Sequence, residues 1–378
     1  MKKKILFTIE SLGGGGAEKV LLTIINGLNR EKYDISLYLI FSGGIYEKEL
    51  KDDIKLSSIF KDIAPLNFFY RPIYKIFRAI IIRILVKYPP FIKYFTKIDK
   101  TYDIGISFCE GLNAAILMEN SYNFKRKIGW IHIDFNYHKA NIANKYIRYY
   151  YNQLDQIVFV SKEAKKSFQK IFPSIDQSKL QVIYNPIDKN DIIKKSNEKS
   201  FIKNKFTIIS VGRFVQQKRF DRVIKIAKLF KDEKMNIQFL IIGTGPLENY
   251  YQKLISDFNL SDYVYLIPFQ SNVVAWIKNA DLYLLTSDYE GLPVVICEAM
   301  ILDKPIVATK ITGTTELLEN GKYGLLTEKT IESIYIALKE MIENKNLRQC
   351  YINRLIENKD NYIFRYDLKD FERFLEDD

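Results

Sequence analysis

Short apolar runs bounded by turn residues alternate with helix-length amphipathic stretches along nearly all of the 378 residues. Such runs lack the in-out alternation of a half-exposed sheet, which marks strands buried on both faces. A helix between successive strands is what parallel pairing requires. In the first half the spacing predicts strands over 4–9, 35–40, 54–60, 104–108, 127–133, 157–160 and 181–184; in the second, over 206–211, 237–242, 264–268, 282–286, 305–308 and 324–326. The fold class is therefore α/β, with two doubly wound parallel sheets. A chain of this length also exceeds what one core usually fills. The first domain is placed at 1–187 and the second at 206–361. The polar, Lys/Asn/Ser-rich stretch 188–205, which follows the Asn185-Pro186 turn signal, is read as the linker. From Tyr362 to Phe374 aromatic residues recur at helical spacing, so 362–378 is expected to be a helix that crosses back to the first domain.

Charge divides the two halves. Residues 1–186 carry 29 Lys/Arg against 17 Asp/Glu and the remainder 28 against 28, so the net charge of +12 belongs wholly to the first half. Such asymmetry points to anionic lipid, a phosphorylated substrate or nucleic acid, or else to a solvated basic surface with no partner. The excess is densest in 66–97, where aromatic and aliphatic residues interleave with Arg71, Lys75, Arg78, Arg83, Lys87, Lys93 and Lys97, and no acidic residue stands between Ala64 and Ile98. This is the composition of a helix lying on an anionic bilayer, or of a long helix with a core face and a solvated basic face. Arg78 and Arg83 interrupt the best candidate for a span, well short of the roughly 18 to 20 apolar residues needed. Met1 to Lys4 resembles a signal-peptide start, but Ile5 to Ile9 is too short for its apolar region and reads as a first strand. Cys109, Cys297 and Cys350 are scattered and odd in number, which argues against a disulfide framework or zinc site and fits a reducing compartment.

Three strand-to-helix turns carry the chemistry. Gly13-Gly14-Gly15-Gly16 follows the first strand and opens an apolar-periodic helix, so its backbone N–H groups are expected to face an anion, unless the run is only a tight turn. It lacks the Gly-Lys-Ser/Thr of a P-loop and the third glycine of a dinucleotide fingerprint, and the second strand ends without the acidic residue an NAD ribose needs. After strand 206–211 come Gly212 and Arg213, then Lys218, a fork and a point charge suited to a diphosphate that gains charge on leaving. After strand 282–286 two glutamates, Glu290 and Glu298, bracket seven residues across the start of a helix. Gly291 admits close backbone approach there, Pro293 suits an early helical position, and a carboxylate at 298 can grip two vicinal hydroxyls. No Asp-x-Asp stands at a strand end to hold Mg²⁺ on a diphosphate, so no metal is expected.

These residues resemble the retaining GT-B glycosyltransferases of family four, known for an E-x7-E motif. The resemblance runs through Gly15-Gly16-Ala17-Glu18, Trp130-Ile131-His132-Ile133-Asp134, Val160-Ser161, Tyr184-Asn185-Pro186-Ile187-Asp188, Val211-Gly212-Arg213, Gly243-Thr244-Gly245-Pro246-Leu247, Glu290 to Glu298, Gly313-Thr314-Thr315-Glu316 and Asn320-Gly321-Lys322-Tyr323-Gly324. It implies two Rossmann-like domains facing across a cleft, with a nucleotide-sugar donor held by the second. By that resemblance Arg213 and Lys218 bind the donor diphosphate, Glu298 the ribose, and Glu290 with Gly291 and Leu292 the donor sugar and distal phosphate. Gly15 and Gly16 join the donor site, and His132 hydrogen-bonds the sugar. The base sits among Gly243, Gly245 and Pro268. It further implies transfer with retained configuration, the leaving phosphate helping to accept the acceptor's proton. Glu110 and Asn113, after strand 104–108, are placed toward the acceptor.

The expected activity is transfer of a hexose or N-acetylhexosamine from a UDP-sugar to a polyprenyl-linked or glycan acceptor in surface polysaccharide or glycolipid synthesis. The expected setting is cytoplasmic, at the inner face of the cell membrane, without nucleic acid as a partner. An epimerase or hydrolase on the same fold, or a non-catalytic basic protein binding membrane or nucleic acid, are the competing readings. The last leaves the segment from Glu290 to Glu298 without a purpose.

Overall fold

The computed structural model describes residues 2–67, 69–137, 145–201, 203–363 and 367–376. The chain forms two compact units, Met1–Ile187 with Tyr366–Asp378, and Asp188–Arg365. In the first, β1 (Lys3–Ile9), β2 (Tyr33–Phe41), β3 (Lys55–Phe60), β4 (Tyr102–Ser107), β5 (Phe124–Ile131), β6 (Gln156–Phe159) and β7 (Leu180–Val182) form a sheet in the order β3-β2-β1-β4-β5-β6-β7. In the second, β8 (Phe206–Val211), β9 (Ile237–Ile242), β10 (Val264–Ile267), β11 (Leu282–Leu285), β12 (Ile306–Thr309) and β13 (Leu325–Thr327) follow the order β10-β9-β8-β11-β12-β13. The pairings are parallel, with Ile5 opposite Ile35 on one side and Ile104 on the other. Ile5, Phe7 and Ile9 on one face and Leu6 and Thr8 on the other are all buried, as a strand covered on both faces requires. Thirteen strands thus stand where the apolar runs predict them.

In each sheet the order reverses beside its first strand, between β1 and β4 and between β8 and β11. Connections there leave in opposite directions and open a crevice at the carboxyl ends of the strands, where ligands of such sheets bind. The turns singled out above all lie at those ends.

Two boundaries differ from the sequence reading. The stretch 188–205 is not a linker: the Asp188 carboxylate caps a helix, Lys189–Ser196, by accepting from the Asp191 N–H. Asn272 Nδ2 donates to Lys195 O, and the Phe201 ring stacks on Trp276 at 5.4 Å, so this stretch is folded into the second unit. Its polar composition hid a helix that needs only Ile192 and Ser196 inside. The C-terminal helix is also shorter than 362–378. Tyr362 lies in a separate helix, Lys359–Ile363, and donates its hydroxyl to Met300 O within the second unit. Leu368–Glu376 is what returns to the first unit, with Phe371 against Phe7 and Trp130 and Arg126 over the Phe374 ring. The remainder of 362–378, namely 364–366 and 377–378, lies outside the described residues.

Candidate active site

In the second unit the β8 and β11 turns meet through their polar groups. Lys218 Nζ lies 2.6 Å from Glu290 Oε1, and Ser287 Oγ donates to the same oxygen at 2.7 Å. Gln217 Nε2 donates to Tyr289 O at 2.8 Å, and the Asp288 N–H returns a bond to Gln217 O at 2.9 Å. Beneath them Arg219 and Arg222 both pair with Asp288, at 3.1 and 2.7 Å, and Arg222 also donates to Thr286 O. Arg219 adopts a left-handed φ of 54° ahead of the helix Phe220–Asp232, and its bonds to Asp221 and Asp288 hold it protonated far above neutral pH. Partly buried charges paired this way fix loop geometry more than they add stability. The Glu290 carboxylate is thereby oriented from two sides before any ligand arrives. Arg213, by contrast, is exposed and makes no ion pair or hydrogen bond through its side chain among the described residues.

The helix Val294–Ile301 begins right after this turn, and Glu298 lies on it at 1% exposure. Its neighbours Ile296, Cys297, Ala299 and Met300 are buried too, as is Leu292. The Glu298 carboxyl group is thus set deep among apolar side chains of its own helix. On the far side of β8, Gly243 and Gly245 let three chain segments touch. A Cβ on Gly243 would stand 2.0 Å from Gly212 O, and one on Gly245 2.6 Å from Phe214 O. The Gly243 N–H donates to Ile267 O, which brings Pro268 to the same edge. Arg213, Lys218, Glu290, Gly291, Leu292, Glu298, Gly212, Gly243, Gly245 and Pro268 thus all border the carboxyl ends of β8 to β11.

The first unit holds the rest. Two N–H groups of the glycine run are already taken: Gly14 and Gly15 donate to Glu18 at 2.5 and 2.9 Å, and Ser11 Oγ donates to it as well. Glu18, three residues past Gly15, reaches back as an N-terminal cap and meets the positive end of the helix Gly16–Gly27 with its own charge. At Gly14 and Gly15 the backbone N–H groups thus already meet the protein's own carboxylate. Glu110 likewise turns inward: its Oε1 accepts from the backbone N–H groups of both His132 and Ile133, tying the end of β4 to the end of β5. Burial raises the Glu110 carboxyl to about 7 against the pull of those amides. Burial also lowers His132 to about 3, so its imidazole is neutral at physiological pH. His132 Nε2, Asn113 Oδ1 and Trp130 Nε1 are sealed from solvent with no hydrogen-bond partner among the described residues. The second histidine, His138, lies outside the described residues.

Residues 191–358 match the glycosyl transferases group 1, and residues 14–191 match Glycosyltransferase Family 4. The crystal structure of Anabaena HepE in complex with UDP and glucose superposes with a TM-score of 0.74 at 19% identity, covering 99% of this chain and 100% of that one. The chain belongs to the family-four GT-B glycosyltransferases. An uncharacterised glycosyltransferase of Methanocaldococcus jannaschii is 30% identical to this family-four enzyme over 250 residues, which are 56% of this chain and 61% of the archaeal protein. The N-acetylgalactosamine-N,N'-diacetylbacillosaminyl-diphospho-undecaprenol 4-alpha-N-acetylgalactosaminyltransferase of Campylobacter jejuni is 27% identical over 367 residues, 93% of each chain.

Of the residues the sequence singles out, Lys218 and Glu290 meet in the structure, while the groups that bind and brace them are not singled out there. Gln217, Ser287, Asp288 and Arg222 carry no motif of their own. The signal available was that they flank the motif residues at the same two strand ends. Among the described residues no three His, Cys, Asp or Glu side chains converge as metal ligands.

Proposed function

We propose that this enzyme moves a hexose or N-acetylhexosamine from a UDP-sugar to a polyprenyl-diphosphate-linked or glycan acceptor, retaining configuration and using no metal, at the cytoplasmic surface of a membrane. The observation that carries the reading is the Lys218–Glu290–Ser287 arrangement at the β8/β11 switch point, with Glu298 buried on the helix that follows. Arg213 and Lys218 take the diphosphate, Lys218 still having donors beyond the one it gives Glu290. Glu298 grips the ribose hydroxyls, and the base lies against Gly243, Gly245 and Pro268. Gly291 and Leu292 approach the distal phosphate.

The bond from the anomeric carbon to the phosphate oxygen breaks, and its electron pair leaves with the diphosphate. Arg213, Lys218 and the N-terminus of Val294–Ile301 stabilise that charge as it develops. The acceptor oxygen bonds to the same carbon from the same face, and its proton passes to the departing phosphate. His132, held neutral by burial, hydrogen-bonds the sugar without adding charge. The UDP and glucose of the HepE structure and the diphospho-undecaprenol acceptor in the Campylobacter enzyme's name support the donor and acceptor classes.

The test is thermal unfolding with UDP, GDP or ADP, with and without EDTA, on wild type and Glu298→Ala. A ligand that binds the native state at a hundredfold excess over its dissociation constant adds about 2.7 kcal/mol. The expected result is stabilisation by UDP alone, indifferent to EDTA and lost in Glu298→Ala. Stabilisation by none of the three at millimolar concentration would remove the donor reading.

A further inference from the structure

The helix Tyr70–Lys87 has two apolar faces. The inner one is covered: Ile81 and Leu85 are buried, and Arg78 sits 4.3 Å from the Phe41 ring centroid and 5.7 Å from that of Phe60. Phe41 ends β2, Phe60 ends β3, and the two rings stack at 5.4 Å. The helix is therefore pinned to the carboxyl edge of the first unit's sheet, the edge that also carries Glu110 and His132. The outer face holds Ile73, Ile76, Phe77, Ile80 and Ile84, at intervals of three and four residues, so they form one stripe. They are exposed at 64, 62, 52, 52 and 45%. Phe91, Tyr94 and Phe95 extend the exposed apolar surface past the helix end. Lys75, Arg83, Lys87, Lys93 and Lys97 are exposed around it, in a stretch with no acidic residue between Asp62 and Asp99. No described helix is long and apolar enough to cross a membrane.

We propose that this stripe inserts into the interfacial layer of an anionic bilayer, with the helix lying in the membrane plane and the basic side chains reaching lipid phosphates. The inference rests on the membrane-bound acceptor proposed above, and it adds which side chains enter the bilayer and where the bilayer meets the fold. A basic flank beside an apolar stripe matches that one partner in both chemistry and charge. A soluble partner protein of matching size would need acidic groups to meet the same rim. Pinned through Arg78, the docked helix sets the carboxyl edge of the first sheet at the lipid surface, where a polyprenyl-linked diphosphate presents its sugar.

The experiment is vesicle co-sedimentation and depth-dependent quenching on the full chain. The vesicles are phosphatidylcholine alone or with about a third phosphatidylglycerol. Wild type should pellet with the anionic vesicles and be released by salt. Ile76→Asn/Phe77→Asn/Ile80→Asn should weaken this on the order of a hundredfold or more. Lys75→Gln/Arg83→Gln/Lys87→Gln should weaken it about a hundredfold and flatten the salt dependence, each charge contributing about fivefold. Phe77→Trp should be quenched by lipids brominated on their chains, while Tyr74→Trp on the inner face should not. UDP-induced thermal stabilisation should be unchanged in every variant, which separates loss of docking from loss of folding or of the donor site. Unimpaired pelleting of the triple Asn variant, or absence of quenching at Phe77→Trp, overturns insertion. So does a wild-type dimer in sedimentation velocity that the Asn variant dissolves while neither protein pellets, since the stripe then covers a second copy of the chain.

Discussion

At the strand ends of the second unit charge meets charge, Lys218 with Glu290 and both Arg219 and Arg222 with Asp288. At those of the first unit Asn113, Trp130 and His132 each hold a buried polar atom without a hydrogen-bond partner among the described residues. Leaving such an atom unpaired costs about 1 to 3 kcal/mol, a cost that pairing within the protein would avoid. On the proposed function the difference has a physical meaning. The second unit receives a ligand whose diphosphate and ribose do not vary, so its frame is completed in advance. The first receives hydroxyls, and its desolvated donors and acceptors gain the most when a hydroxyl arrives.

The largest effect should come from breaking the charged frame. Arg213→Ala with Lys218→Ala removes both cations offered to the leaving diphosphate, and a loss of about a thousandfold in turnover is expected. A loss below tenfold in steady-state sugar transfer would remove the clamp. The same pair should leave the first unit untouched, and vesicle binding is the control.

Next in size is a contrast between two glycine turns. Gly243→Ala puts a methyl group 2.0 Å from Gly212 O, at a backbone φ of +152°, so β8 and β9 must separate at their carboxyl ends. About 3 kcal/mol of destabilisation is expected by chemical denaturation, with the UDP shift lost. Gly15→Ala meets nothing nearer than Glu18 at 3.5 Å and should change stability by less than about 1 kcal/mol. Equal costs at the two positions would contradict the distinction between a turn shaped by backbone packing and one shaped by a capping carboxylate.

That contrast also marks how far the sequence could be read. Both turns look alike as strings, a glycine cluster after an apolar run, though the first is read as an anion site and the second as the seat of the base. Glu18 stands three residues after Gly15, the spacing of a capping carboxylate, so its occupation of the turn has a signal in the sequence. The central strands were legible because burial on both faces demands unbroken apolar runs, as in Ile237–Ile242, whereas the edge strand Lys55–Phe60 is largely exposed and only its last residue is buried. The part of Gln217 was not, because it lies some seventy residues before Glu290 and meets it only once β8 and β11 are neighbours. The helix at 189–196 was hidden by a polar composition that two buried positions suffice to anchor. For Tyr70–Lys87 the sequence gives the stripe of isoleucines, but not which face the sheet edge covers. Arg78 decides that, by lodging against two phenylalanines from strands far apart in the chain.

The smallest effect expected concerns the strap between β4 and β5. Glu110 titrates near 7 in the folded chain against an ordinary 4.5, so between those values the native state holds the proton more tightly. Its contribution to stability is complete below pH 4.5 and is lost as pH rises toward 7. His132 runs the other way, titrating near 3 against 6.5, so its contribution is present above 6.5 and is lost as pH falls. From 4.5 to 6.5 the two slopes oppose each other. Glu110→Gln keeps an oxygen for the amides of His132 and Ile133 but removes the titration. Denaturation midpoints measured at pH 5, 6 and 7 should therefore rise more steeply with pH in the variant than in wild type. Parallel profiles would mean that the Glu110 carboxyl stays ionised across this range, and that a charged strap orients His132.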